Sequence, residues 1–325
     1  MNFKLQKPDM LQECQLQQKG YNIFLESLLF VGIFFISQIV MGILSGIPMA
    51  VYVVSSGILN QAENLLDLQN RLMSVSMRIS LVLQLPGIFL VILLCRWFQN
   101  RKAWTLGFKK RNILREYGIG MGAGFLMMTV IVLLGWVTGA LSIRLNPQPV
   151  RLGTILLLLF YFAGFLFQGM FEEVLCRGYF LLSLSRRKGN LWVGILGSSL
   201  VFSALHLANP GINVLSLCNL TLFGIFAGVY FIKRGDLWGI GALHSLWNFT
   251  QGNVWGVLVS GMRTEPSVFL TEAKEGLELV NGGSFGLEGG ILTTAVLIAG
   301  TLILLRLPQK DPADASADPL SVPQA

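Results

Sequence analysis

The sequence predicts an all-α polytopic membrane protein of about eight transmembrane helices, and three observations carry that prediction. Of 325 residues, 53% are hydrophobic and only 13% charged, with a mean hydropathy of +0.64; soluble domains carry about 25% charged residues, so a water-soluble globule of this size lacks the charges to cover itself. Uncharged runs long enough to cross a bilayer recur along the chain. The basic residues fall unequally between the connections that those runs define. The same long apolar runs exclude collagen-like, disordered and disulfide-stapled chains. Cys14, Cys95, Cys176 and Cys218 are scattered with no CxxC pair, so they form neither a zinc knuckle nor a disulfide framework.

The uncharged stretches are Ser27–Ala62, Ile79–Cys95, Tyr117–Ile143, Leu152–Phe171, Gly189–Ile232, Leu237–Met262 and Gly289–Leu305. A crossing needs about 20 apolar residues. The 44 residues of Gly189–Ile232 are therefore two helices, broken at Asn209-Pro210-Gly211. Within Ser27–Ala62, Pro48 and several glycines predict one span at about 23–45 and a shorter kinked extension.

Eight spans put both termini on one side. That side then holds 18 of the 24 Lys and Arg residues, and the other holds six: Arg71, Arg78, Arg144, Arg151, Arg263 and Lys274. By the positive-inside rule both termini are cytoplasmic, and the location is an integral one, in the cell membrane. The net charge of +7 is thus a topology signal beside anionic lipid, not a nucleic-acid footprint.

The polar first 20 residues lack a signal-peptide pattern, which predicts a retained first span. The division is 1–22 as a cytoplasmic segment, 23–149 as flanking helices one to three, and 150–255 as a core of helices four to seven. An outer loop and the eighth helix follow at 256–306, and 307–325, rich in Pro, Asp, Ala and Ser, is a disordered tail. Gly118, Gly120, Gly122 and Gly124 have no preceding strand, so they do not form a nucleotide loop; they read as small residues that let helices approach closely. No internal repeat points to an inverted-repeat transporter.

Ionisable groups inside spans are costly and read as functional. Three clusters qualify. In Glu172-Glu173-Val-Leu-Cys-Arg177, Glu173 and Arg177 are four apart on one helix face and neutralise each other, whereas Glu172, about 100° round the helix, is left available as a base. The alternative is an ordinary ion pair at the end of span four. His206 stands four residues after Phe202 in span five, and His244 four residues before Asn248 in span seven. Each alone reads as helix–helix glue. Together they use both histidines of the chain, and a carboxylate, two imidazoles and an amide suit hydrolysis: the carboxylate deprotonates water, and the others bind an oxyanion or a metal.

The ordered set Glu172-Glu173-x-x-x-Arg177, Phe202-x-x-x-His206 and His244-x-x-x-Asn248 resembles the CPBP family of intramembrane proteases, which comprises the type II CAAX prenyl endopeptidases and the bacteriocin-processing or Abi proteins. The resemblance implies an endopeptidase whose cavity opens to the cytoplasmic side. It implies Glu172 as the activator of water, His206, His244 and Asn248 as lining residues, and Glu173 with Arg177 as the support of Glu172. Cys176 departs from the aromatic common at its position. For Glu172 and His206 to meet, span four must continue to about Ser185, which places Glu172 near mid-membrane. The expected partners are a peptide, lipidated or membrane-protein substrate and the bilayer, with no nucleic acid and no nucleotide.

Zinc held by Glu172, His206 and His244 is the metal alternative, favoured by the family's usual place among metalloproteases. A metal-free site without any cofactor is preferred, because Asn248 is a poor zinc ligand and a good oxyanion donor. Two other functions compete: a non-catalytic binding or immunity scaffold, and a proton-coupled transporter. The transporter requires a polar path that the first three spans scarcely supply.

Overall fold

The computed structural model describes residues 5–16, 22–148 and 151–309. A short helix, α1 (Asp9–Leu16), precedes α2 (Ile23–Ser56), which starts where the Asn22 side chain accepts from the Leu25 N–H at 2.8 Å and stops at Gly57, φ +63°. Helix α2 runs unbroken through Pro48, so the expected span of 23–45 with a separate extension is one helix. A membrane helix tolerates the single backbone bond that proline removes.

After the one-turn α3 (Ile58–Gln61) comes α4 (Leu65–Gln99), which begins well before the uncharged run Ile79–Cys95. Its early charges are satisfied along the helix itself: Arg71 Nε pairs with Asp67 at 2.9 Å, and Arg78 Nη2 donates to Ser74 Oγ at 3.2 Å. At 1.5 Å per residue α2 and α4 are each about 50 Å long, more than the ~30 Å of hydrocarbon requires.

Helix α5 (Ile113–Val137) approaches the centre of the bundle through two of its four early glycines. A Cβ on Gly120 would collide with the Gly239 carbonyl, and one on Gly124 with that of Leu243, while Gly118 and Gly122 face open space. The small residues four apart therefore act as close-approach positions.

Helix α6 (Leu152–Glu173) passes without interruption into a π-helical segment, Val174–Leu181, and then α7 (Leu182–Lys188), giving the long span that the depth argument requires. Wider π turns misalign backbone carbonyls. Buried Arg101 takes two of them, donating from Nη2 to Gly178 O at 2.9 Å and from Nη1 to Tyr179 O at 3.4 Å.

Helix α8 (Leu191–Ala204) is short, and α9 (Val214–Arg234) and α10 (Trp238–Phe249) form the most enclosed part of the molecule, α10 continuing as a π segment, Thr250–Val254. A four-residue helix, α11 (Glu278–Asn281), and α12 (Ile291–Arg306) follow.

Among the described residues α2, α4, α5, the α6–α7 run and α9 fall on five of the expected spans, α8 and α12 are shorter apolar helices, and α10, on the remaining one, is a 12-residue helix carrying His244 and Asn248. Five of these helices are long and apolar enough to cross a bilayer. Large apolar side chains face outward along them, Ile43, Ile47, Leu126 and Leu200 among them, as a lipid-facing surface demands.

The region after α10 is not a plain loop. Leu141–Leu145 (β1) pairs antiparallel with Phe269–Ala273 (β2), Leu141 opposite Ala273. This element is absent from the sequence-based expectation. At the other end of the bundle Lys109 pairs with Asp9 (2.7 Å), Arg186 with Glu26 (3.0 Å), Arg234 with Glu116, and Gln309 with Gln6. These segments are those that the charge count assigns to one side. The expected disordered tail, from residue 310 on, lies outside the described residues.

Candidate active site

The site forms where α6, the turn after α8, and α10 meet. At the end of α6, Glu173 is fully buried and ion-paired with Arg177 at 2.8 Å. Arg177 also lies 4.7 Å from the centre of the Phe202 ring and donates to Gly224 O at 3.4 Å. Both charges are thereby compensated in low dielectric. The same Glu173 oxygen, Oε1, lies 2.8 Å from His244 Nδ1. An ionised carboxylate only accepts, so Nδ1 carries hydrogen and Nε2 is turned to the other side of the ring.

That other side holds Glu172. Its Oε2 is 3.7 Å from His244 Nε2 and has no hydrogen-bond partner although it is buried. Its Oε1 accepts from Gln168 Nε2 at 3.1 Å, and Gln168 Oε1 accepts from Asn248 Nδ2 at 3.1 Å. The two neighbouring glutamates therefore have different surroundings. Glu173 is locked between Arg177 and His244, and Glu172 keeps one oxygen uncommitted.

His206 sits in the turn just past α8, not within a span as the sequence suggests, because Asn209, Pro210 and Gly211 end the helix early. Its Nδ1 is 2.8 Å from Phe202 O; a carbonyl only accepts, so again Nδ1 carries the hydrogen and Nε2 is left over. Rings hold both imidazoles in place: Phe202 lies 4.8 Å from His206, and Phe223 4.8 Å from His244, centroid to centroid.

Glu172, His206, His244 and Asn248 all line one cavity of about 200 Å³. Gln168 lines it too, as do Trp247, Ser260 and Glu288. Glu288, from the outer loop, accepts from Trp247 Nε1 at 3.2 Å, from the Ser260 N–H at 2.7 Å and from Ser260 Oγ at 2.8 Å. It thereby pins the turn Val259–Met262 against α10. Sequence reasoning passes over both residues. Gln168 had a signal, an amide one helical turn before Glu172 in an apolar run; Glu288, adjoining the last apolar stretch, had none.

For zinc, the donor types and outer partners are suitable: both imidazoles engage Nδ1 elsewhere and leave Nε2, the arrangement usual for metal-bound histidine. The geometry is not. Among the described residues no three His, Cys, Asp or Glu side chains come together as a ligand set.

Five helices long and apolar enough to cross a bilayer, with a cavity lined by Glu172, His206, His244 and Asn248 among them, define an integral membrane protein with an internal chamber. Residues 154–250, less than a third of the chain, match the family model described as type II CAAX prenyl endopeptidase Rce1-like. This stretch is similar to the Rce1-like proteins, which supports the resemblance to the CPBP/CAAX intramembrane proteases. No curated protein and no solved structure matches the chain.

Proposed function

We propose that the protein is a membrane-embedded endopeptidase in which Glu172 activates water without a metal. The observation that carries this reading is Glu172, which keeps a buried Oε2 without a hydrogen-bond partner and lines a cavity shared with His206, His244 and Asn248. A water beside that oxygen gives it a proton, and the hydroxide formed attacks the scissile carbonyl carbon. Charge then develops on the carbonyl oxygen. Asn248, which lines the cavity, has a second Nδ2 hydrogen beyond the one given to Gln168, and in this reading it serves that oxygen.

His244 donates at Nε2 only as imidazolium. Its flanking carboxylates, Glu172 and Glu173, supply the counter-charge for that form. A neutral His206, protonated at Nδ1, presents Nε2 as an acceptor that orients the attacking water. On collapse the C–N bond breaks, and the proton held by Glu172 passes to the leaving amine. Glu173 and Arg177 touch no substrate and serve to position His244.

The substrate in this reading is a peptide, lipidated or membrane protein, reached from the cytoplasmic side on which both termini lie, in the cell membrane. The test is cleavage of an internally quenched peptide by the purified chain in lipid nanodiscs. Glu172→Gln abolishes cleavage while remaining folded, and Asn248→Ala lowers kcat by about 10²–10³-fold, the usual loss on removing one oxyanion donor. A Glu172→Gln variant that keeps its cellular phenotype supports a binding scaffold instead.

A further inference from the structure

Two glutamines outside the Rce1-like stretch remain unexplained by the reaction just described. Gln38, exposed, lies in the middle of α2 and Gln84, half-buried, in the uncharged stretch Ile79–Cys95 of α4, and both line the cavity that holds Glu172. Gln84 Oε1 is buried with no hydrogen-bond partner among the described residues. A carboxamide at membrane depth is costly unless something pairs with it.

Their level in the bundle follows from a common reference. Glu26 accepts from Gln99 Nε2 at 2.6 Å and from Arg186 Nη2 at 3.0 Å, which ties α2, α4 and the α6–α7 run together at one end. Counting 1.5 Å per α-helical residue from that tie, Gln38 lies about 18 Å along α2 and Gln84 about 22 Å along α4. The two amides therefore lie at nearly one level, on the walls of the same cavity as Glu172. Phe34 and Met77, about one and two turns from the glutamines on the same helices, add apolar lining to the same cavity.

We propose that Gln38 and Gln84 form a binding subsite for the main chain of an extended peptide, which enters along α2 and α4 and reaches Glu172 at the far wall. Only a group with both a donor and an acceptor satisfies a carboxamide on both atoms, and a peptide bond is such a group, while the apolar wall takes side chains of either neighbour. A hydrocarbon chain alone would leave both amides unpaired. The subsite rests on the endopeptidase reading for its purpose, though not for its existence.

The experiment measures binding in the Glu172→Gln background, in nanodiscs, so that turnover does not interfere. The probes are a fluorescently labelled leucine–alanine peptide, analogues in which single backbone N–H groups are replaced by ester oxygen, and farnesol as a lipid without a main chain. Adding Gln84→Leu or Gln38→Leu weakens the peptide about tenfold, the worth of one well-formed hydrogen bond, and leaves farnesol unchanged. One ester position weakens the unsubstituted-glutamine protein by the same factor and costs the Leu variant nothing more.

Undiminished peptide binding in both Leu variants overturns the subsite, as does the absence of peptide binding in the parent background, or an equal loss for farnesol. Hydrolysis of the same peptide by the Glu172 protein is scored separately. Gln84-dependent binding with no turnover overturns the endopeptidase reading and leaves the subsite standing, and turnover indifferent to both glutamines does the reverse.

Discussion

Glu173→Gln is the substitution that most cleanly separates support from chemistry. The side chains of Glu173 and Arg177 are both 0% exposed and meet at 2.8 Å. Neutralising the carboxylate leaves the Arg177 cation in low dielectric with the Phe202 ring at 4.7 Å and Gly224 O at 3.4 Å as its remaining compensation. Breaking a buried pair by removing one partner costs about 3–5 kcal/mol. The loss of the charged acceptor for His244 Nδ1 acts in the same direction. For a chain of this size about 4 kcal/mol corresponds to a fall in Tm of the order of 10 °C. Glu172→Gln, by contrast, keeps an amide oxygen for Gln168 Nε2 and a side chain of the same shape, so its Tm changes by about 2 °C or less. Thermal unfolding of both variants in one detergent, followed by tryptophan fluorescence, compares them directly. Equal destabilisation of the two variants would refute the division of roles between the neighbouring glutamates.

Three further perturbations probe separate parts of the structure. Gly120→Val drives side-chain atoms into the Gly239 carbonyl and is expected to lower Tm by several degrees, while Gly118→Ala, which meets nothing, leaves it unchanged or slightly raised; differential scanning fluorimetry reads both. Gln168→Leu cuts the link between Glu172 and Asn248 and is expected to lower kcat by about tenfold or more with little change in Tm, as kinetics on the quenched peptide would report. Glu288→Ala frees the turn Val259–Met262 from α10 and is expected to speed hydrogen exchange at the Ser260 amide, measured by mass spectrometry.

Much of this architecture was legible in the residues because lipid permits few solutions. Apolar runs must be helices, and the uneven distribution of lysine and arginine paired the connections as they pair at one end of the bundle. The cavity residues were legible for the same reason: Glu172, His206, His244 and Asn248 are conspicuous where nearly everything else is apolar. What escaped the sequence depends on tertiary contact. The pairing of Leu141–Leu145 with Phe269–Ala273 joins segments 128 residues apart, and neither strand alone alternates strongly enough to announce it. Charge-based counting truncated α4 at Ile79 because it cannot see that Asp67 and Arg71 neutralise each other one turn apart. Gln168 and Glu288 gain their meaning only from the groups that face them, and the double use of Glu173, by Arg177 and by His244, needs α10 in place beside α6.

Water activation by a carboxylate, without a metal, is the central claim, and one measurement tests it most directly. The purified chain in nanodiscs is assayed on the quenched peptide after exhaustive chelation, with its metal content measured on the same sample, beside Glu172→Gln. The account predicts an undiminished rate from metal-depleted protein and none from the variant. Activity that disappears with one tightly bound zinc per chain and returns on adding zinc back, or a Glu172→Gln protein that still cleaves, would contradict it.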